Sequence, residues 1–165
     1  MKVFFDTEFI GDSLTMLSIG AVREDKKVFY AVVDGADMSQ LDDFGKDVVV
    51  PRLWGSAGWS AGDGMPKSLS VIANEFREFC GPSPEFWGYY ADYDWFYLCQ
   101  MYGGMMKIPK DWPWFCMDVV QEMKMRAVET KFPVDPKREH NALYDALWTR
   151  NQYLHVMKNG TALRS

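Results

Sequence analysis

Apolar and polar positions follow two rhythms along this chain. Near the start, Val3-Phe4-Phe5-Asp6-Thr7-Glu8-Phe9 is a run of aromatic and branched residues broken only by two acids with one residue between them. Such a run predicts a buried, central strand. Residues two apart on a strand share a face, so Asp6 and Glu8 project together. Residues 17–22 and 28–33 are further apolar, branched runs. They flank the charged connection Arg23-Glu24-Asp25-Lys26-Lys27 and predict a hairpin. The second rhythm is helical. Leu69, Ile72, Ala73, Phe76, Phe79 and Cys80 recur at helical spacing, and Gly81-Pro82 ends the element. Residues 86–90 predict another buried strand. A helix follows from near Asp92, with Trp95, Leu98, Cys99 and Tyr102 on one face and Gly103-Gly104 as its stop. Residues 116–125 predict a short strand or turn running into a helix. The last helix begins near Asn141, with Leu143, Ala146, Leu147, Arg150, Leu154 and Met157 along one side.

Two stretches keep neither rhythm. Residues 34–67 are rich in Gly, Asp and Ser and predict a long irregular segment, a feature that is often functional in compact domains. Trp54 is expected to pin that segment to the body, and Trp59 either does the same or stacks on a base or sugar. Residues 108–114 contain two prolines and predict a loop. With no repeat and no linker, the 165 residues are expected to form one α/β domain over 1–165.

Composition narrows the class. Hydrophobic residues make up 48% and aromatics 16%, which excludes a disordered chain. No apolar run reaches the ~20 residues of a membrane helix. Acids fall inside the first strand, so no signal-peptide pattern is expected. Three cysteines (Cys80, Cys99, Cys116) in no metal-type pairing are expected as reduced core thiols of a cytoplasmic protein. A net charge of −5 argues against a broad electrostatic grip on nucleic acid. It leaves a nuclease open, because bound cations reverse the charge of an acidic site.

Three clusters carry candidate chemistry. Asp6 and Glu8 side by side in a low-dielectric site repel each other and call for a positive charge between them, for which a divalent metal with oxygen ligands is the natural candidate. The competing reading is an edge strand with its polar face in solvent. His140 and Asp145 stand at the entrance and in the early turns of the last helix. Five residues apart they share no face, so one helix does not make a two-ligand site of them. They suit a division of labour in which the Asp binds metal and the His handles a proton. The competing reading is a surface His with a helix-start Asp that favours the dipole. In Tyr90-Ala91-Asp92-Tyr93-Asp94-Trp95-Phe96, one Asp serves a helix start while the other is free to face a metal site.

Together these motifs resemble the DEDDh exonucleases, the branch of the RNase H-like superfamily that contains RNase T and oligoribonuclease. Phe-Asp-Thr-Glu-Phe, His-Asn-Ala-Leu-Tyr-Asp-Ala-Leu and Ile108-Pro109-Lys110-Asp111-Trp112-Pro113 followed by Asp118 look most like the small RNase T-like members. The resemblance implies an RNase H-like α/β fold with a central mixed five-stranded sheet flanked by helices. It implies two Mg2+ or Mn2+ ions held by Asp6, Glu8, Asp94 and Asp145, with His140 as general base. Tyr93-Asp94 fits the family's aromatic–Asp pair. An Asn that often precedes the pair is replaced by Tyr90, which leaves Asp92 as the alternative. The implied activity is release of nucleoside 5′-monophosphates from single-stranded 3′ ends, of RNA before DNA, by a homodimer. Met101, Met105, Met106, Trp112 and Trp114 are expected either at its interface or in the core. Phe9 and Ile10 are expected against the terminal nucleoside, and Lys137 and Arg138 against phosphates or simply in solvent. The readings from other classes are a nucleotide-binding module without catalysis and an interaction domain with decorative acids.

Overall fold

The first strand sits at the centre of a five-stranded sheet in order β3-β2-β1-β4-β5 in the computed structural model, which describes residues 1–11, 13–54 and 65–160. The strands are β1 (Lys2–Phe9), β2 (Met16–Arg23), β3 (Val28–Val32), β4 (Glu85–Gly88) and β5 (Met117–Asp118). β1, β2 and β3 pair antiparallel, while β4 and β5 run parallel to β1. The sheet is therefore mixed, and the edge-strand reading of Asp6 and Glu8 falls. The helices are α1 (Val50–Leu53), α2 (Leu69–Cys80), α3 (Asp92–Met101), α4 (Val119–Met125) and α5 (Ala142–Asn159). No helix among the described residues is long and apolar enough to cross a membrane.

The period of two along β1 divides the core. Val3 and Phe5 join Ile19, Ile72, Phe76, Phe86 and Leu98 on the face covered by α2 and α3. Phe4 turns to the other face and packs with Trp87, Val119, Tyr153 and Val156 under α4 and α5. Asp6 and Glu8 continue the Phe4 side toward the start of α5. The proline loop is anchored by Trp112, 3% exposed, whose indole donates to the Gly81 carbonyl at 3.1 Å beneath the Arg77 guanidinium.

Several expectations change. The strand expected over 86–90 ends at Gly88, because the chain turns there. A Cβ on Gly88 would stand 2.5 Å from that of Ala91, and Tyr90 takes a left-handed φ of +55°. The segment 34–67 is not all irregular. Gly45–Val49 forms a wide helical turn that runs into α1, where Pro51 is tolerated because the first turn needs no N–H from it. Trp54 is 52% exposed and does not pin the segment, and Trp59 lies outside the described residues. Met101 and Trp112 are core, whereas Met105, Met106 and Trp114 are exposed. Cys80 and Cys99 are buried and Cys116 half-buried, all three as free thiols.

The face of α5 is the expected one in part: Leu143 and Ala146 are buried, and Leu147 and Met157 pack against the core. Its buried residues are Ala142, Leu143, Ala146, Thr149, Gln152, Tyr153 and Val156, while Leu154 is 47% exposed. Small residues also mark the contact, because the start of the helix lies directly on the sheet backbone. A Cβ at Gly20 would come within 2.2 Å of the Ala142 carbonyl carbon and the Leu143 nitrogen. Gly20 pairs with Asp6 across β1 and β2. A residue without a side chain thus lets the first turn of α5 settle beside the acids.

Candidate active site

The site stands at the carboxyl end of β1, where its neighbour β4 stops short. β1 pairs with β4 only through Lys2, Val3 and Phe4, so the later N–H groups on that side need other partners. Asp94, on the first turn of α3, takes one of them. Its Oδ1 accepts from the Thr7 backbone N–H at 2.8 Å and from the Thr7 hydroxyl at 2.7 Å. Asp92, two residues earlier, points to solvent. The side-chain cap expected of an acid here is absent; instead Asp118 Oδ2 accepts from the Ala91 N–H at 2.8 Å. The same carboxylate caps α4 through Val120 and Gln121, which ties the β4–α3 turn to β5.

Asp145 enters from above the sheet. Asn141 caps α5 by accepting from the Tyr144 N–H at 3.1 Å, and its amide donates to the Arg52 carbonyl at 2.9 Å. His140, just before the cap, holds a left-handed φ of +66°, and its backbone N–H donates to Asp145 Oδ2 at 2.8 Å. Asp6, Glu8 and Asp145 then offer oxygens that all lie within 4.8 Å of one another. Asp94 stands apart from that triplet but on the same cavity.

The cavity measures about 590 Å³ and is lined by Asp6, Glu8, Phe9, Ile10, Asp94, His140 and Asp145 together with Phe44, Tyr89, Tyr90, Tyr93 and Trp148. The structure thus brings together the four acids, the histidine, Phe9 and Ile10. It does not bring Lys137 and Arg138 into the wall. Both are exposed on the turn before His140, where Arg138 packs over Tyr144 and faces Asp135 at 3.7 Å. Phe9 stacks on Tyr97 at 4.3 Å and on Tyr93 at 5.7 Å, and Phe44 meets the His140 ring edge-on at 4.9 Å. Phe44 was missed because it falls in the segment without periodicity. Thr7 was missed because nothing in a strand pattern marks the residue between two acids as a clamp for a third.

Electrostatically the site is poised for a cation. Burial, then repulsion among the acids, pushes Asp6 and Glu8 well above the usual carboxylate range, with Arg52 opposing the rise at Glu8. Burial raises Asp145 to about 7 and Asp94 to about 6, against the hydrogen bonds from His140 and Thr7. Burial also lowers the His140 imidazole below its ordinary value, so it is neutral near pH 7 and able to accept a proton.

The chain is similar to known proteins over most of its length. The family model described as the 3′-5′ exoribonuclease Rv2179c-like domain matches residues 1–157. Two Mycobacterium tuberculosis proteins, 3′-5′ exoribonuclease Rv2179c of strain H37Rv and 3′-5′ exoribonuclease MT2234.1 of strain CDC 1551, are each 32% identical over 151 residues. Each alignment covers 88% of this chain and 87% of the relative. Among solved structures, an Exonuclease I without ligand superposes with a TM-score of 0.62 at 13% identity. That match covers 97% of this chain but only 42% of the other, so the likeness is one of fold over part of a longer protein. The mixed five-stranded fold and these relatives define a 3′-5′ exonuclease. The chain belongs to the 3′-5′ exoribonuclease Rv2179c-like family.

Proposed function

We propose that this protein is a divalent-metal-dependent exoribonuclease that shortens single-stranded RNA from its 3′ end and releases nucleoside 5′-monophosphates. The observation that carries the reading is the carboxylate triplet Asp6, Glu8 and Asp145, with oxygens within 4.8 Å, on a cavity that also holds His140. The donor set fits Mg2+ or Mn2+, both of which favour oxygen ligands. The carboxyl groups are raised first by burial and then by mutual repulsion, and bound cations offset both. Asp6, Glu8, Asp145 and, on the Thr7 side, Asp94 would hold two ions. Bound there, divalent cations supply charge neutralisation at a phosphodiester and a lowered pKa for water.

The chain's own residues do the rest. His140, neutral at pH 7, takes the proton of the attacking water. Its left-handed backbone and the bond from its N–H to Asp145 place the base and an acid as one unit. Asp94 is fixed by Thr7 so that a carboxylate faces the cavity from the α3 side. Phe9, braced by Tyr93 and Tyr97, and Ile10 pack against the terminal nucleoside. Lys137 and Arg138 meet only phosphates beyond the cavity wall. A homodimer built on exposed Met105, Met106 and Trp114 belongs to the same reading, as does a reducing cytoplasmic setting for the free thiols.

The test uses 5′-labelled single-stranded RNA and its DNA counterpart with Mg2+, Mn2+ or EDTA, for wild type and Asp6→Ala. A ladder shortening from the 3′ end, abolished by EDTA and by the substitution, is the expected result, with RNA degraded faster. Faster degradation of DNA than of RNA would replace the ribonuclease by a deoxyribonuclease. Survival of both polymers and of short oligonucleotides would favour a nucleotide-binding module.

A further inference from the structure

A second cavity of about 510 Å³ shares Tyr89 and Tyr90 with the catalytic one and is otherwise lined by residues of α4 and the segment after it. Both volumes fall within the roughly 300–1,000 Å³ of small-ligand pockets. The two are joined by an aromatic ridge. Tyr89 packs edge-on against Trp148 of the catalytic cavity at 4.7 Å and against Tyr90 at 5.1 Å. Tyr90 is 67% exposed and left-handed, a strained state for a bulky residue. The contact of Gly88 with Ala91 and the bond from the Ala91 N–H to Asp118 hold that turn in place. Ala127, also on the groove, has a left-handed φ of +52°. The wall is mainly apolar through Val120, Met123 and Val128, and its opposite charges, Lys124 and Glu129, cancel. Such a surface suits a base and ribose better than a run of phosphates.

We propose that this groove holds the nucleotide on the 5′ side of the scissile phosphate, its base stacked on Tyr90. The proposal rests on the exonuclease reading above. In that reaction, water adds to phosphorus, and the bond from phosphorus to the 3′ oxygen of the preceding nucleotide breaks. His140 keeps the proton from water and the departing 3′ oxygen takes one from solvent. The preceding nucleotide must therefore lie within one phosphodiester of the catalytic cavity, and the groove beyond the shared tyrosines meets that demand. Apolar stacking makes the subsite tolerant of base identity.

The test compares two substrates for wild type, Tyr90→Gly and Thr130→Trp. The methyl ester of a nucleoside 5′-monophosphate fills the catalytic cavity alone, and an RNA tetranucleotide also fills the groove. Glycine keeps the left-handed backbone without the ring, and Thr130 is an exposed groove residue, so both variants fold. The ratio of kcat/KM on tetranucleotide to that on ester should fall about 5–150-fold for Tyr90→Gly, the span of one base–aromatic stack, and in the same direction for Thr130→Trp. An unchanged ratio for Thr130→Trp overturns the proposal. So does an equal loss on both substrates for Tyr90→Gly, which would place Tyr90 at the terminal nucleotide. Wild type inactive on both would remove the exonuclease reading itself, and the groove with it.

Discussion

Adding one methyl group at Gly20 should cost both stability and catalysis. The new Cβ would stand 2.2 Å from the Ala142 carbonyl carbon and the Leu143 nitrogen, and ordinary contact begins at 3.4 Å. The start of α5 must therefore move off the sheet by about 1.2 Å. The obstacle is backbone on both sides, so no side-chain rotation relieves it. Overpacking of this kind costs about 1–3 kcal/mol. For a chain of this size that is a fall of roughly 2–12 °C in Tm. Asp145 lies one turn into the displaced helix and His140 just before it, while Asp6 and Glu8 stay on β1. A misplacement of about 1 Å costs on the order of 100-fold in rate. Thermal denaturation and exonuclease kcat of Gly20→Ala at saturating Mg2+ measure the two effects separately. A Tm and a kcat both equal to wild type would refute the argument that this glycine seats the helix carrying Asp145.

Other outcomes follow from the same geometry. His140→Ala should lose roughly 10²–10⁴ in kcat while keeping the rise in Tm that Mg2+ gives wild type; a full rate would remove the proton-transfer role. The metal-free protein should become less stable as pH rises. Asp145 and Asp94 are raised from 3.8 to about 7 and about 6, so the folded protein holds protons that the unfolded chain has released. Their contribution is complete below about pH 4 and lost as pH passes through about 7. Melting in EDTA at several pH values should show this slope, and Asp145→Asn should flatten it; identical slopes would contradict the assignment. Asp118→Ala removes the cap of α4 and the tie to Ala91 together, and should lower stability in urea by about 1–2 kcal/mol.

The strand and helix periods were legible because they report burial face by face. Val3, Phe4 and Phe5 with two acids spaced by one residue marked a central strand with both carboxylates on one side, and the structure agrees. The Asp–x–Glu, Tyr–Asp and His–x4–Asp motifs singled out candidate acids, and of the two that sequence left as alternatives the structure leaves Asp92 exposed and sets Asp94 on the cavity. What failed were features without period. Phe44 and Arg52 lie in a stretch whose Gly and Pro hid a helical turn. The buried face of α5 was legible at Leu143 and Ala146 but not at Thr149, and Leu154 is exposed, because apolar spacing does not show where a helix is pressed onto backbone, as it is at Gly20.

The sequence by itself determined which groups exist and which local face each occupies, since alternation and helical spacing depend only on neighbours in the chain. Only the tertiary structure decided that β4 stops short and frees the Thr7 N–H for Asp94. It alone brought Asp145 within reach of Asp6 and Glu8, and placed Tyr90 between two cavities. Those are contacts across tens of residues, and they depend on where one element ends against another, which no local pattern carries.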